Sequence, residues 1–192
     1  MTGYSSLNRY MKDEKINFPS NIKKLSLFGF NSLPWEEMSI IGALPNLEIL
    51  KLGYSAIVGE IWETRDGEFQ QLRFLKLEGL YNFCKWDISF SSEHFPKLQQ
   101  LVLHDCWKLQ EIPCAMGEIE TLQLIDVKRC QKSVGESATQ IEEEQRDMGN
   151  EDLRIIIRKI LVDDDDDDDD GDDDEYDDDD DDDGDDGDDD GQ

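Results

Sequence analysis

The sequence predicts an α/β solenoid, with a short parallel sheet on its concave side, irregular or short helical segments on its convex side, and a disordered acidic tail. Three observations carry that expectation. The phrase L-x-x-L-x-L, with Ile allowed at its first place, occurs five times in 192 residues. Its middle leucines, Leu25, Leu50, Leu75, Leu101 and Leu122, advance by 25, 25, 26 and 21 residues. The formal net charge of −29 is unevenly spread, because Asp163 to Gln192 holds 24 acidic residues in 30 and no Lys or Arg.

The phrases are Ile22-Leu25-Leu27, Leu47-Leu50-Leu52, Leu72-Leu75-Leu77, Leu98-Leu101-Leu103 and Ile119-Leu122-Leu124. A phrase of this form at this period is the mark of leucine-rich repeats. In L-x-L, residues two apart share one strand face and point inward, and the leucine three places earlier turns in as the chain approaches the strand. One repeat cannot bury that face alone, so repeats stack strand beside strand about 4.8 Å apart into a continuous core.

The segments between the phrases cross the convex side. Pro34 suits the first turn of a short helix from Trp35 towards Ile41, and Gly42 can end it. Phe18-Pro19, Leu44-Pro45 and Phe95-Pro96 precede strands, where proline holds its predecessor out of helix; Phe69 takes that place before Gln70. Trp35, Trp62 and Trp86 are read as core or ridge residues. Residues 17–132 thus form about five repeats, preceded by a weak N-terminal edge over 1–16. From Ser133 the period stops. Ser137 with Gln140 predicts a helix start, continued through ATQIEEEQRDM to Gly149. LRIIIRKILV, Leu153 to Val162, suits an edge strand or a short amphipathic helix, so 133–162 is a helical or strand cap over the last repeat. The tail, 163–192, has Tyr176 as its one sizeable apolar group and cannot fold alone.

Composition narrows the function. Without its tail the chain keeps 24 acidic against 19 basic residues, so it has no general attraction to nucleic acid or acidic lipid. No apolar run reaches the ~18 residues of a membrane helix and no secretory signal precedes the body. Cys84, Cys106, Cys114 and Cys130 lack C-x-x-C or zinc spacing and are read as isolated reduced thiols of a reducing compartment. Catalysis has little support: His94 and His104 are the two histidines, and in His104-Asp105-Cys106 neighbouring strand residues point to opposite faces. No cofactor or ordered metal site is expected. The tail is expected to gather divalent cations or basic proteins weakly, without the ordered loop that selects calcium.

The stretch FPSNIKKLSLFGFNSLPWEEMSIIGALPNLEILKLGYSAIVGEIWE, with HFPKLQQLVLHDCWKLQEIP and GEIETLQLIDVKRC, closely resembles the carboxy-terminal repeats of plant disease-resistance proteins. The nearest group is the late-blight-resistance type of the nightshade family. The likeness runs from about Asn17 to Ile157 and includes the inter-repeat phrases LPWEEM and KLQEIP. It implies a part in pathogen recognition and defence, including the hypersensitive response, inside the cytoplasm or nucleus. Full-length members couple their repeats to a nucleotide-binding switch, but this chain has no G-x-x-x-x-G-K-[ST] loop, so that switch is not carried over. The implied partners are proteins: a receptor nucleotide-binding domain, a host target or a pathogen effector.

Members of that family recognise through the concave face, where the x residues of each strand meet solvent. Aligning the five phrases places Lys24, Ser26 and Phe28 there, then Ile49, Lys51 and Gly53. Phe74, Lys76 and Glu78 follow, with Gln100, Val102 and His104, and finally Thr121, Gln123 and Ile125. Lys51 and Lys76 share a column and would repel modestly unless a carboxylate lies nearby. Phe28 and Phe74 are the aromatic anchors. Two other readings remain from the sequence: a leucine-rich acidic nuclear phosphoprotein that binds histones, and a non-functional receptor remnant.

Overall fold

A computed structural model describes residues 18–29, 33–54, 56–88 and 94–161. The N-terminal edge, 1–16, and the acidic stretch 163–192 lie outside the described residues. In chain order the elements begin with β1 (Lys24–Phe28), β2 (Leu33–Pro34), α1 (Met38–Gly42), β3 (Ile49–Gly53), β4 (Ile57–Val58) and β5 (Ile61–Thr64). They continue with β6 (Phe74–Glu78), β7 (Lys85–Ile88), β8 (Gln100–His104), β9 (Leu124–Lys128), α2 (Lys132–Asp147) and β10 (Arg154–Arg158). The protein is an α/β fold around one six-stranded sheet of order β1-β3-β6-β8-β9-β10, every pair parallel.

The register explains the leucines. Leu25, Leu50, Leu75, Leu101, Ile125 and Ile155 stand in one row across the sheet, and Leu27, Leu52, Leu77, Leu103, Val127 and Ile157 in the next. Alternate strand residues share a face, so both rows enter the core and are buried from β1 through β9. Leu47, Leu72, Leu98 and Leu122, three residues ahead of the upper row, are also buried.

That register corrects the last repeat. The phrase Ile119-Leu122-Leu124 is displaced by three residues: the inward residues are Leu122, Ile125 and Val127, while Leu124 is only partly buried. Two overlapping frames satisfy the phrase here, and the row through Leu101 and Ile125 gives a step of 24 residues, closer to the other steps. The sheet also has six strands rather than about five, since LRIIIRKILV contributes β10 in register with β9. Asp152 stands where the other repeats have leucine or isoleucine, and the 16-residue α2 lengthens the step. Both hide the sixth repeat from a pattern search.

A second regularity follows each strand. Gly29, Tyr54, Gly79, Asp105, Arg129 and Lys159, the residues after the six strands, all have positive φ, between 50° and 103°. Each is left-handed backbone that turns the chain off the sheet. The amides of Tyr54, Gly79, Asp105 and Arg129 donate to the last carbonyl of the following strand, on Glu78, His104, Lys128 and Arg158, at 2.9 to 3.1 Å. The turn is therefore part of the hydrogen-bond ladder. Cys106 and Cys130 occupy equivalent buried places two residues after β8 and β9, and donate to the carbonyls of Leu77 and Leu103. They are free thiols but not isolated ones: the adjacent Cys130 side chain and burial push the Cys106 thiol up.

Opposite the sheet, the aromatics stack. Trp35 and Trp62 lie 5.0 Å apart at 11°, and Trp62 and Trp86 4.8 Å apart at 8°. Phe69 and Phe95 stack at 5.1 Å and meet Trp62 edge-on. These pairs combine large apolar area with favourable ring geometry. Both phenylalanines have positive φ, 57° and 49°, so the backbone ahead of β6 and β8 is held out of right-handed helix with and without a following proline. A 3₁₀ turn, Trp35–Glu37, leads from Pro34 into α1. Gly42 is the last residue of α1, and its lack of a side chain makes room for Glu68, since a Cβ there would stand 2.9 Å from Glu68 Cβ.

Helix α2 begins at Lys132, so Ser137 lies inside it and does not cap it. Its hydroxyl instead accepts from the Ile112 amide at 2.9 Å and donates to the Val134 carbonyl. Val134, Ala138, Ile141 and Gln145 form the buried stripe, the spacing of one helix face. The Gln145 amide donates to the Gly117 carbonyl.

Trp62, 0 % exposed between its two stacking partners, tests the packing. Trp62→Ala should lower unfolding stability by about 3–5 kcal/mol in urea denaturation, whereas Trp107→Ala, 48 % exposed, should change it by less than about 1 kcal/mol.

Candidate protein-interaction face

The face of the sheet opposite the buried rows carries the first, third and fifth residues of each strand. Lys24, Ile49, Phe74, Gln100, Leu124 and Arg154 form the first row. Ser26, Lys51, Lys76, Val102, Asp126 and Ile156 form the second, and Phe28, Gly53, Glu78, His104, Lys128 and Arg158 the third. Parallel register thus brings together the sequence-selected residues of the first four strands.

The fifth strand differs. Ile125 is 0 % exposed and belongs to the core. Thr121 and Gln123 precede β9 rather than lying on it, and the Thr121 hydroxyl donates to the Leu98 carbonyl at 2.8 Å. Leu124, Asp126 and Lys128 take the places assigned to them. Val102 is on the face but only 7 % exposed, a short side chain between Lys76 and Asp126 in its row.

Charges on this face are organised. Lys76 Nζ lies 2.8 Å from Glu78 Oε2 on the same strand, which relieves the repulsion with Lys51. Lys51 Nζ instead sits 5.5 Å from the centre of the Phe74 ring, a cation–π distance. Asp126 accepts two bonds from Arg158, at 2.8 and 2.6 Å, and lies 3.4 Å from His104 Nε2. One carboxylate therefore links β8, β9 and β10. Cys106 is in the core and donates to Leu77, so His104, Asp105 and Cys106 do not converge.

Along the end of the sheet runs a ridge of which the sequence reading picked out Phe28 alone. Phe28, Tyr54, Tyr81 and Trp107 are 45, 52, 40 and 48 % exposed. Phe28 and Tyr54 lie 6.2 Å apart, Tyr81 and Trp107 4.9 Å apart. Glycines make room beneath them: a Cβ on Gly53 would stand 2.8 Å from the Phe28 ring, and one on Gly79 3.2 Å from Tyr54 and 3.4 Å from the Tyr81 hydroxyl. The aromatic that recurs just beyond each of the first four phrases was the available signal.

Beside the ridge, Asp105 and Arg129 form a two-bond pair across β8 and β9, Nη2 to Oδ2 being 2.7 Å. The Arg129 hydrogen bond, and then its charge, hold the Asp105 carboxyl below its ordinary range against the opposing effect of burial. A carboxylate whose folded pKa is depressed contributes stability above its unfolded pKa of about 4, and that stability is lost as pH falls through the folded value. Asp105→Asn should therefore lower the urea midpoint at pH 7, with the difference from the parent chain shrinking as the pH is taken below about 4.

Among the described residues no helix is long and apolar enough to cross a membrane, and no three His, Cys, Asp or Glu residues group as a metal site would. No protein-family model matches the chain. Over 143 residues it is 40% identical to the late blight resistance protein homologue R1B-13 of Solanum demissum, covering 73% of this chain and 12% of the relative. The homologues R1B-12 and R1B-16 of the same species are 38% and 40% identical, over 74% and 59% of this chain and 10% and 9% of theirs. The chain thus spans about a tenth of the length of the relatives it matches. Close to three quarters of this chain is a region of the late blight resistance R1 type.

Proposed function

We propose that the chain is a leucine-rich-repeat solenoid that serves plant disease resistance by docking a protein on the concave face of its sheet, without catalysis of its own. The observation that carries this reading is the face itself. Six strands in one register present three rows of side chains, among them Phe28, which is exposed, and Phe74 and Lys51, which are partly exposed. Aromatic side chains on such a surface give contact area at small entropic cost. Repeat sheets of this kind serve as extended binding surfaces. The relatives' names, which refer to late blight resistance, set the context. Partners in that context are the nucleotide-binding domain of a separate receptor, a host target or a pathogen effector, met in the cytoplasm or nucleus.

Expression in leaf tissue beside a matching receptor that lacks its own repeats tests the reading. The intact chain and a version ending at Val162 should co-purify with that receptor to the same extent, and Phe74→Ala combined with Lys51→Glu should reduce recovery at least about tenfold, the scale of one buried anchor. Association that survives the face substitutions but disappears with the acidic stretch would contradict it and favour an acidic binder of basic proteins.

A further inference from the structure

We propose that this face takes an extended acidic segment of a partner protein, one whose carboxylates are interleaved with apolar side chains. The proposal rests on the face being the docking surface and adds the chemistry of what docks. Its first support is charge segregation. The 18 positions of the three rows carry six basic and two acidic residues, a net of +4, in a chain of net charge −29. Lys76 and Arg158 are held by Glu78 and Asp126. Lys24, Lys51, Lys128 and Arg154 have no carboxylate within 4.0 Å among the described residues. Four cations on one sheet face, with no carboxylate at ion-pair distance among the described residues, fit a ligand that brings the acids.

Dimensions and apolar content narrow that ligand. From Lys24 to Arg154 there are five steps between neighbouring strands, about 24 Å at about 4.8 Å each, the reach of seven or eight extended residues. The unmatched cations are interleaved with Ile49, Phe74, Leu124 and Ile156, and Phe28 and Tyr54 stand at the edge. A segment of carboxylates alone would leave those groups in water. Apolar residues that share the inward face of the segment with its carboxylates, two positions apart, would cover them and shield the ion pairs from water, which strengthens the attraction.

Two other occupants fit less well. Residues 163–192 supply 24 carboxylates but Tyr176 as their one sizeable apolar residue, so they match the cations and not the hydrophobic positions. A second copy brings another −29 charges, and like net charges disfavour encounter.

The test uses the full chain and three fluorescent ten-residue peptides at about 0.15 M salt, where screening beyond about 8 Å suppresses bulk repulsion. The first sets Asp or Glu and Leu or Phe by turns at its odd positions with Ser between, so that both share one face of the extended chain; the second keeps the acids but has Gly or Ser for the apolar residues, and the third replaces the acids of the first by Lys. Fluorescence anisotropy should show the first bound at least tenfold more tightly than the second. The Phe74→Ala, Lys51→Glu variant should lose at least tenfold in affinity for the first peptide while keeping its melting midpoint. Lys24→Glu provides the same comparison if the double variant folds poorly. Equal affinity for the two acidic peptides would overturn the proposal, as would binding of the first that ignores the face substitutions. A lysine peptide that alone responds to those substitutions would overturn the acidic chemistry and leave docking at this face standing. Loss of every face-dependent signal, here and with the receptor in leaf tissue, would remove both.

Discussion

The structure depends on equivalent residues of successive repeats lying side by side. A slip of one residue in any strand would turn its core aliphatic residues to solvent and its outward residues inward. The ladder resists such a slip at both ends of each strand. Ahead of β3, β6, β8 and β9, paired amides converge on the carbonyls of Lys23, Glu48, Arg73 and Gln99. After the strands, the left-handed residue donates onward to the next repeat. Four of the six left-handed places hold Tyr54, Asp105, Arg129 and Lys159 rather than glycine, a conformation that costs of order 1 kcal/mol or more each. Its recurrence after every strand shows that the ladder and the buried rows outweigh that cost, with the Asp105–Arg129 pair adding to them where two such residues adjoin.

The same constraint produces the candidate surface. A side chain chosen for solvent in one repeat is placed beside its counterparts about 4.8 Å away, so single substitutions build rows. Lys51 beside Lys76 is tolerable because Glu78 lies 2.8 Å from one and the Phe74 ring lies under the other. Asp126 likewise gathers His104 and Arg158 from its two neighbouring strands. On the opposite side the rows become the stack of Trp35, Trp62 and Trp86, where the identical geometry excludes water.

Much of this was legible in the sequence. The four phrases around Leu25, Leu50, Leu75 and Leu101 define the buried rows, and the tryptophans between them are buried. Where the sequence misled, the reason is specific. Ile119, Leu122 and Leu124 imitate the repeat phrase three residues early, and the shorter step of 21 residues was the warning. Cys106 and Cys130 were a further clue, since a cysteine three places after the final apolar residue is part of the longer repeat phrase. The phrase Leu101-Leu103-Cys106 then aligns with Ile125-Val127-Cys130. β10 lacked a leucine at Asp152, and Ser137 offered a capping pattern whose hydroxyl the fold uses to hold Ile112 instead. The aromatic ridge depends on side chains just beyond the strands, where repeat spacing does not specify direction.

Register at the fifth strand is where the account is most exposed, because the pattern and the structure disagree there. Interstrand nuclear Overhauser contacts in isotopically labelled protein would settle it most directly. Backbone contacts should link Val102 to Asp126 and His104 to Lys128, the pairs of the sheet. Contacts linking Val102 to Gln123 instead would contradict it, returning Ile125 to the surface and removing the common register on which both the core and the candidate face rest.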